Sequence, residues 1–151
     1  MAKKKKVVES EKLKKAKKKK EAGSEKLSKT VKKKVADSEK LSKAIVSGMQ
    51  EKKASDIVVM DLREIKNAVA DFFVICSGNS DKQLEAIAGS IDDEVYKKLK
   101  ENPWYTEGRN NKEWVILDYI SVVVHIFNKD RRKFYSLEKL WGDAIITEIE
   151  D

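Results

Sequence analysis

A chain of 151 residues has room for about one domain, and 40% hydrophobic content suffices for a core under a surface drawn from 39% charged residues. The net +7 conceals a split: residues 1–46 hold 18 lysines against 6 acids (+12), and residues 47–151 hold 15 basic against 20 acidic groups (−5). One cysteine and one histidine exclude a protein-only zinc or iron–sulfur site and any intrachain disulfide, which fits a reducing compartment.

At the amino end, Lys3 to Lys6 are followed only by Val7 and Val8 before Glu9, too little for the apolar region of a signal peptide. No stretch approaches the ~20 apolar residues of a membrane span. The chain therefore reads as soluble and cytoplasmic. Ser-Glu-Lys-Leu recurs at Ser10, Ser24 and Ser38, a 14-residue period that returns to nearly the same helix face. Each copy sets a glutamate four residues before a lysine (Glu11/Lys15, Glu25/Lys29, Glu39/Lys43), the order that supports a helix. Ser24 and Ser38 suit N-caps, and Gly23 suits the end of a preceding turn.

The apolar stripe widens from Leu13 alone, through Leu27, Val31 and Val35, to Leu41, Ile45 and Met49, so order should increase along the chain. Residues 1–37 are assigned to a lysine-rich repeat extension, partly helical or disordered, and residues 38–151 to the folded domain. The extension is either a solvated tail or an electrostatic arm for RNA, whose phosphates would release counterions on contact. Charge alone does not separate the two. With no aromatic residue in 1–71, base stacking by the arm is not expected.

Leu41, Ile45 and Met49 define an amphipathic helix reaching about Ala54 and interrupted by Gly48. Strands are predicted at 56–61 and 71–78, apolar at consecutive positions as in a sheet covered on both faces. Ser80 and Gln83 form a capping box opening a long helix, with Leu84, Ile87, Ile91, Val95 and Leu99 on its apolar face and Asn102-Pro103 ending it. A polar loop follows. Strands at 113–119 and 122–127 are close enough for a hairpin. Asp130 then caps a last helix bearing Phe134, Leu137 and Trp141, with a short strand at 145–149. This order predicts an α/β domain with a mixed sheet of four to five strands flanked by helices.

Cys76 and His125 could make a thiol–imidazole dyad, but both lie in apolar strand runs and are read as core residues. Asp56 and Asp61 bracket a strand, and Asp92 and Asp93 lie on a helix; carboxylates of this kind hold magnesium in nucleotidyl transfer. Gly78-Asn79-Ser80 has the look of a phosphate-binding turn before a helix N-terminus. However, two aspartates one residue apart on a following strand are missing, and the turn reads more simply as a cap. Trp141 is assigned to the core. Trp114, on an edge-like strand beside acids, suits a protein-interface anchor, and Trp104 either does the same or plugs the end of the sheet.

These stretches together resemble the ribosomal silencing factor family, also called Iojap-like. They are residues 56–62, 70–78, Ser80 with Gln83 and 86–88, and Glu107-Gly108. The series continues with 114–119, 122–127, 134–141 and Asp143-Ala144. Each is weak alone; their order over residues 41–145 is specific. The resemblance implies a fold like that of nucleotidyltransferases without the working carboxylates. It also implies a factor that is not an enzyme and needs no cofactor. Such a factor binds the large ribosomal subunit through ribosomal protein L-fourteen and sterically blocks joining to the small subunit, lowering translation when nutrients are scarce.

Carried over by position, the partner-binding residues are Trp114 and Asp118, with Tyr119 and the turn residues Ile120 and Ser121 adjoining. The family usually has Gly then Asp where this chain has Ile120 and Ser121. Glycine permits positive φ and a β-branched residue resists it, so either the turn has another geometry or its tip is an altered contact. Basic ribosomal proteins complement a −5 domain, and the +12 arm can face rRNA. Monomer and homodimer are both open. Magnesium-dependent nucleotidyl transfer through Asp56 or Asp61, and a generic RNA-binding module driven by the arm, are the alternative functions.

Overall fold

The computed structural model describes residues 31–111, 113–135 and 142–150, with side chains for 38–111, 113–132 and 142–150. The expectations for the repeats at Ser10 and Ser24, for Gly23, for the side chains of Phe134 and Leu137 on the last helix, and for Trp141 as a core residue lie outside these. The elements in chain order are α1 (Val31–Glu51), β1 (Ser55–Asp61), β2 (Phe72–Gly78), α2 (Asp81–Leu99), β3 (Tyr105–Glu107), β4 (Trp114–Asp118), β5 (Val122–Asn128), α3 (Lys129–Tyr135) and β6 (Ile145–Glu148).

The strands form one mixed sheet ordered β3-β4-β5-β2-β1-β6. Only β2 and β5 pair in parallel, as the α2 crossover between them requires; the other pairs are antiparallel. The sheet has six strands rather than four to five. The additional one, β3, is three residues of polar edge strand inside the expected loop, too short for a period-2 pattern to register.

Alternation along the strands sends side chains to two separate cores. Phe72, Val74 and Cys76 of β2, with Leu117 and Val124, meet Ile45 and Met49 of α1 and Leu84, Ile87 and Ile91 of α2. On the other face Phe73, Ile75, Met60, Trp114 and Phe127 pack with Leu62, Val69 and Ala70 of the β1–β2 connection. Consecutive apolar residues are thus buried on both sides, the reason β2 reads as an unbroken hydrophobic run.

Gly48 does not interrupt α1. A Cβ there would lie 2.8 Å from the Ile91 Cα, so the missing side chain lets the α1 and α2 backbones cross closely. Ser90 Oγ donates to the Gly48 carbonyl at 2.8 Å in that crossing. The expected capping box is present with a variation. Ser80 Oγ accepts from the Gln83 N–H at 3.2 Å, but Gln83 Oε1 accepts from the Asn79 N–H at 2.7 Å. The Gln83 amide also donates to the carbonyls of Lys52 and Lys53 at the end of α1. The helix ends one turn before Pro103, at Lys100 in the left-handed region with its N–H on the Tyr96 carbonyl.

Candidate functional site

The Asp118–Ser121 segment stands where β4 turns into β5, at the end of the sheet nearest Leu41 and the carboxyl end of α2. Ile120 has φ 74. Ser121 N–H donates to the Tyr119 carbonyl at 3.0 Å, closing a three-residue γ-turn of the strained, positive-φ kind. The chain keeps the glycine-like backbone while carrying a β-branched residue.

Four hydrogen bonds hold that conformation. Asp118 Oδ1 accepts from the Ile120 N–H at 2.8 Å, and the Tyr119 N–H donates to the Val122 carbonyl at 2.9 Å. The Ser121 carbonyl accepts from the Asp71 and Phe72 N–H groups at 2.8 and 3.2 Å, tying the turn to the start of β2. The turn is over-determined, the condition under which backbone strain persists.

Tyr119 is buried, and its hydroxyl donates to Asp92 Oδ1 at 3.4 Å while Asp92 Oδ2 pairs with Arg109 at 2.8 Å. Burial, reinforced by the Asp92 charge, pushes the Tyr119 phenol well above its usual range. The phenol stays neutral and acts as a brace between the sheet and α2.

Of the residues expected to meet a partner, Asp118, Tyr119, Ile120 and Ser121 are contiguous, but only Ile120 and Ser121 are partly exposed. Trp114 is not on an exposed edge. Strand β4 is flanked by β3 and β5, and the indole is 2% exposed. It stacks on Phe127 at 5.2 Å and donates to His125 Nδ1 at 2.9 Å, about 13 Å along the strand from Asp118. The acids beside Trp114 in sequence suggest a surface position; the indole instead faces the second core, packed with Phe73 and Phe127, beyond the reach of the three-residue β3 ladder.

Among the described residues, the exposed tryptophan is Trp104, at 72%. Its N–H donates to the Asp118 carbonyl at 2.8 Å, so its backbone is continuous with the β3–β4 ladder. Trp104, Tyr119, Ile120 and Ser121 line one side of a groove of about 360 Å³; Leu41 from α1 and Leu99, Glu101 and Asn102 at the end of α2 line the other. The signal in sequence was a large aromatic after Pro103 in a polar loop, which did not fix its exposure.

Cys76 and His125 are both buried, and the register sets Ile75 opposite His125 and Cys76 opposite Ile126, which points the two side chains to opposite faces of the sheet. They form no dyad. Burial pushes the Cys76 thiol far above its usual range. Asp56 and Asp61 lie at opposite ends of β1, about 17 Å apart along the strand, so one metal ion cannot take both. Asp61 is engaged by Arg63 through both oxygens at 3.0 and 2.8 Å. Asp56 sits at a bulge with φ 51, and its carbonyl accepts from Arg132, which also donates to Ser77 Oγ at 3.0 Å. Among the described residues no three His, Cys, Asp or Glu side chains gather as a metal site. No helix among them is long and apolar enough to cross a membrane. At the Gly78-Asn79-Ser80 turn, the N–H groups of Asn79 and Gln83 are already taken by side-chain oxygens, as a cap would have it.

The family described as "Ribosomal silencing factor during starvation" matches residues 35–151. The chain is 44% identical over 106 residues to the ribosomal silencing factor RsfS of Bacillus subtilis, covering 66% of this chain and 83% of that one. To the RsfS of Halalkalibacterium halodurans it is 42% identical over 109 residues, covering 70% and 88%. A crystal structure from Bacillus halodurans superposes with a TM-score of 0.62 at 35% identity, over 75% of this chain and 99% of that one.

Proposed function

The chain belongs to the ribosomal silencing factor family, and from that premise we propose that it represses translation by binding the large ribosomal subunit and occluding the surface that the small subunit would meet. In this reading the domain docks on ribosomal protein L-fourteen in the cytoplasm and acts by its bulk, without chemistry and without a cofactor. The observation that carries it is the match over residues 35–151, which spans all six strands and α2.

The described structure fits a binding role. The 119–121 turn is rigidly held and reaches the surface, whereas the carboxylates that would serve nucleotidyl transfer are separated or paired. The likeness to nucleotidyltransferases carried by the resemblance is then one of scaffold only. Within the docking surface, Ile120 and Ser121 make contact, while Asp118 and Tyr119 position them. Trp114 acts through the core beneath.

Charge supports the same division of labour. Residues 47–151, at −5, suit a basic ribosomal protein, and the lysine-rich extension of residues 1–37 faces neighbouring rRNA. The test is sedimentation with separated subunits. The protein should co-migrate with the large subunit alone and reduce the amount of joined ribosome; normal joining in its excess would refute the reading.

A further inference from the structure

We propose that the groove beside the 119–121 turn receives a basic protein loop, with Trp104 as its anchor and Glu101 as its charge partner. The inference rests on the ribosomal reading and extends it by naming where the ribosomal protein is gripped.

Trp104 is the most exposed large hydrophobic side chain among the described residues, at 72%. It is not on a loose tail. Pro103 restricts the backbone before it, its own N–H is bonded to the Asp118 carbonyl, and Tyr105 begins β3 directly after it. An indole presented this way loses little freedom on being covered, which favours its use as an anchor. Leu41 and Leu99 give the adjacent groove an apolar floor, and the strained Ile120 stands on its rim.

The charge of the occupant follows from Glu101. Nearby acids are already compensated: Asp92 by Arg109 at 2.8 Å and Glu94 by Lys98 at 3.0 Å. Glu101 lines the groove, is exposed, and has no ion pair among the described residues. A lysine or arginine entering here pairs with Glu101 and can lie over the Trp104 ring. A phosphate backbone would meet an unneutralised carboxylate instead, so the arm and the groove would serve different partners.

The test uses the full chain and separated large ribosomal subunits, with affinity measured by sedimentation. Trp104→Ala should weaken binding by about tenfold or more while leaving the melting temperature unchanged, because the side chain is outside both cores. Glu101→Lys should weaken binding too. Ile145→Thr, at the far edge of the sheet, should bind normally. Wild-type affinity in Trp104→Ala would overturn the inference and leave the ribosomal reading standing. Tighter binding by Glu101→Lys would show a phosphate-bearing occupant and overturn it as well. If the wild-type chain itself failed to bind, the ribosomal reading would fall and take this inference with it.

Discussion

Trp114 and His125 are joined diagonally across β4 and β5: the indole N–H donates to Nδ1 at 2.9 Å, although Trp114 is opposite Phe127 and His125 opposite Ile116. Phe73 meets the imidazole edge-on at 4.7 Å. With Nδ1 accepting, the neutral ring carries its proton on Nε2. Both residues are buried, so the bond fixes strand register within the core rather than presenting anything to a partner.

Replacing Trp114 should therefore report on folding. Trp114→Ala should lose about 3–5 kcal/mol in urea unfolding. Trp114→Phe, which retains an aromatic ring against Phe127 but removes the donor to His125, should lose about 1–3 kcal/mol. Lost ribosome binding in the alanine variant would follow from lost structure. An unchanged unfolding midpoint in that variant would contradict the assignment of the indole to the core.

Ile120 offers a gain of stability. A β-branched residue at φ 74 pays a conformational penalty that glycine does not. Ile120→Gly should stabilise the domain by about 1 kcal/mol, read as a melting temperature higher by several degrees. A lower melting temperature would mean that the isoleucine side chain contributes more through contacts at the groove than it costs in backbone strain.

Two helix glycines should respond with opposite sign. A Cβ at Gly48 meets Ile91 Cα at 2.8 Å and Ile91 N at 3.1 Å, both backbone atoms that cannot step aside. Gly48→Ala should cost about 1–3 kcal/mol through displaced helices, despite alanine's better helix propensity. At Gly89 a Cβ meets nothing within 4 Å, so Gly89→Ala should stabilise by about 0.5–1 kcal/mol. Parallel thermal or urea unfolding of the two variants checks this; equal shifts would dismiss the close crossing.

The same residues show what was legible in the sequence. Apolar spacing places α2, and unbroken apolar runs place β2, β4 and β5, because each is buried along its length; Ser80 with Gln83 marks a helix start. Gly48 reads as a break in sequence because composition reports propensity, whereas the need for glycine comes from a helix distant in sequence. Strand β3 was missed because three residues of edge strand are defined by their partner, not by their own pattern. In the candidate site the resemblance points to the 118–121 segment, and the tension at Ile120 is visible from its β-branched chemistry. The burial of Trp114 was not, since it depends on a second core built by residues distant in sequence, and neither was the exposure of Trp104, which depends on where β3 lies.

Arg63 gives the domain a defined acid sensitivity. It donates to both Asp61 oxygens and reaches Glu39 of α1 at 2.7 Å, joining the end of β1 to the helix layer. The Arg63 hydrogen bonds hold the Asp61 carboxyl below its usual range. A depressed folded-state pKa contributes stability that is present above the unfolded value near ~3.9 and lost as pH falls through the folded value. Wild-type stability should thus decline more steeply below about pH 4 than that of Arg63→Gln. The pair is partly exposed, so the difference should be under about 1 kcal/mol. Superimposable acid limbs would show that the pair does not couple protonation to folding.

Salt dependence separates the extension from the domain, because their charges make opposite demands. Residues 1–30 hold 13 lysines and 4 acids and stop short of the family match. If they lie along rRNA, each neutralised phosphate adds nearly one unit to the slope of log affinity against log salt. Removing residues 1–30 should then weaken large-subunit binding most at low ionic strength and flatten that slope, measured by sedimentation across a salt series. Exclusive binding to the large subunit should survive, since the proposed docking turn and the Trp104 groove remain. An unchanged slope would place the lysines in solvent rather than on RNA. A loss of subunit preference would instead move recognition from the domain to the extension, against the sign of charge at Glu101.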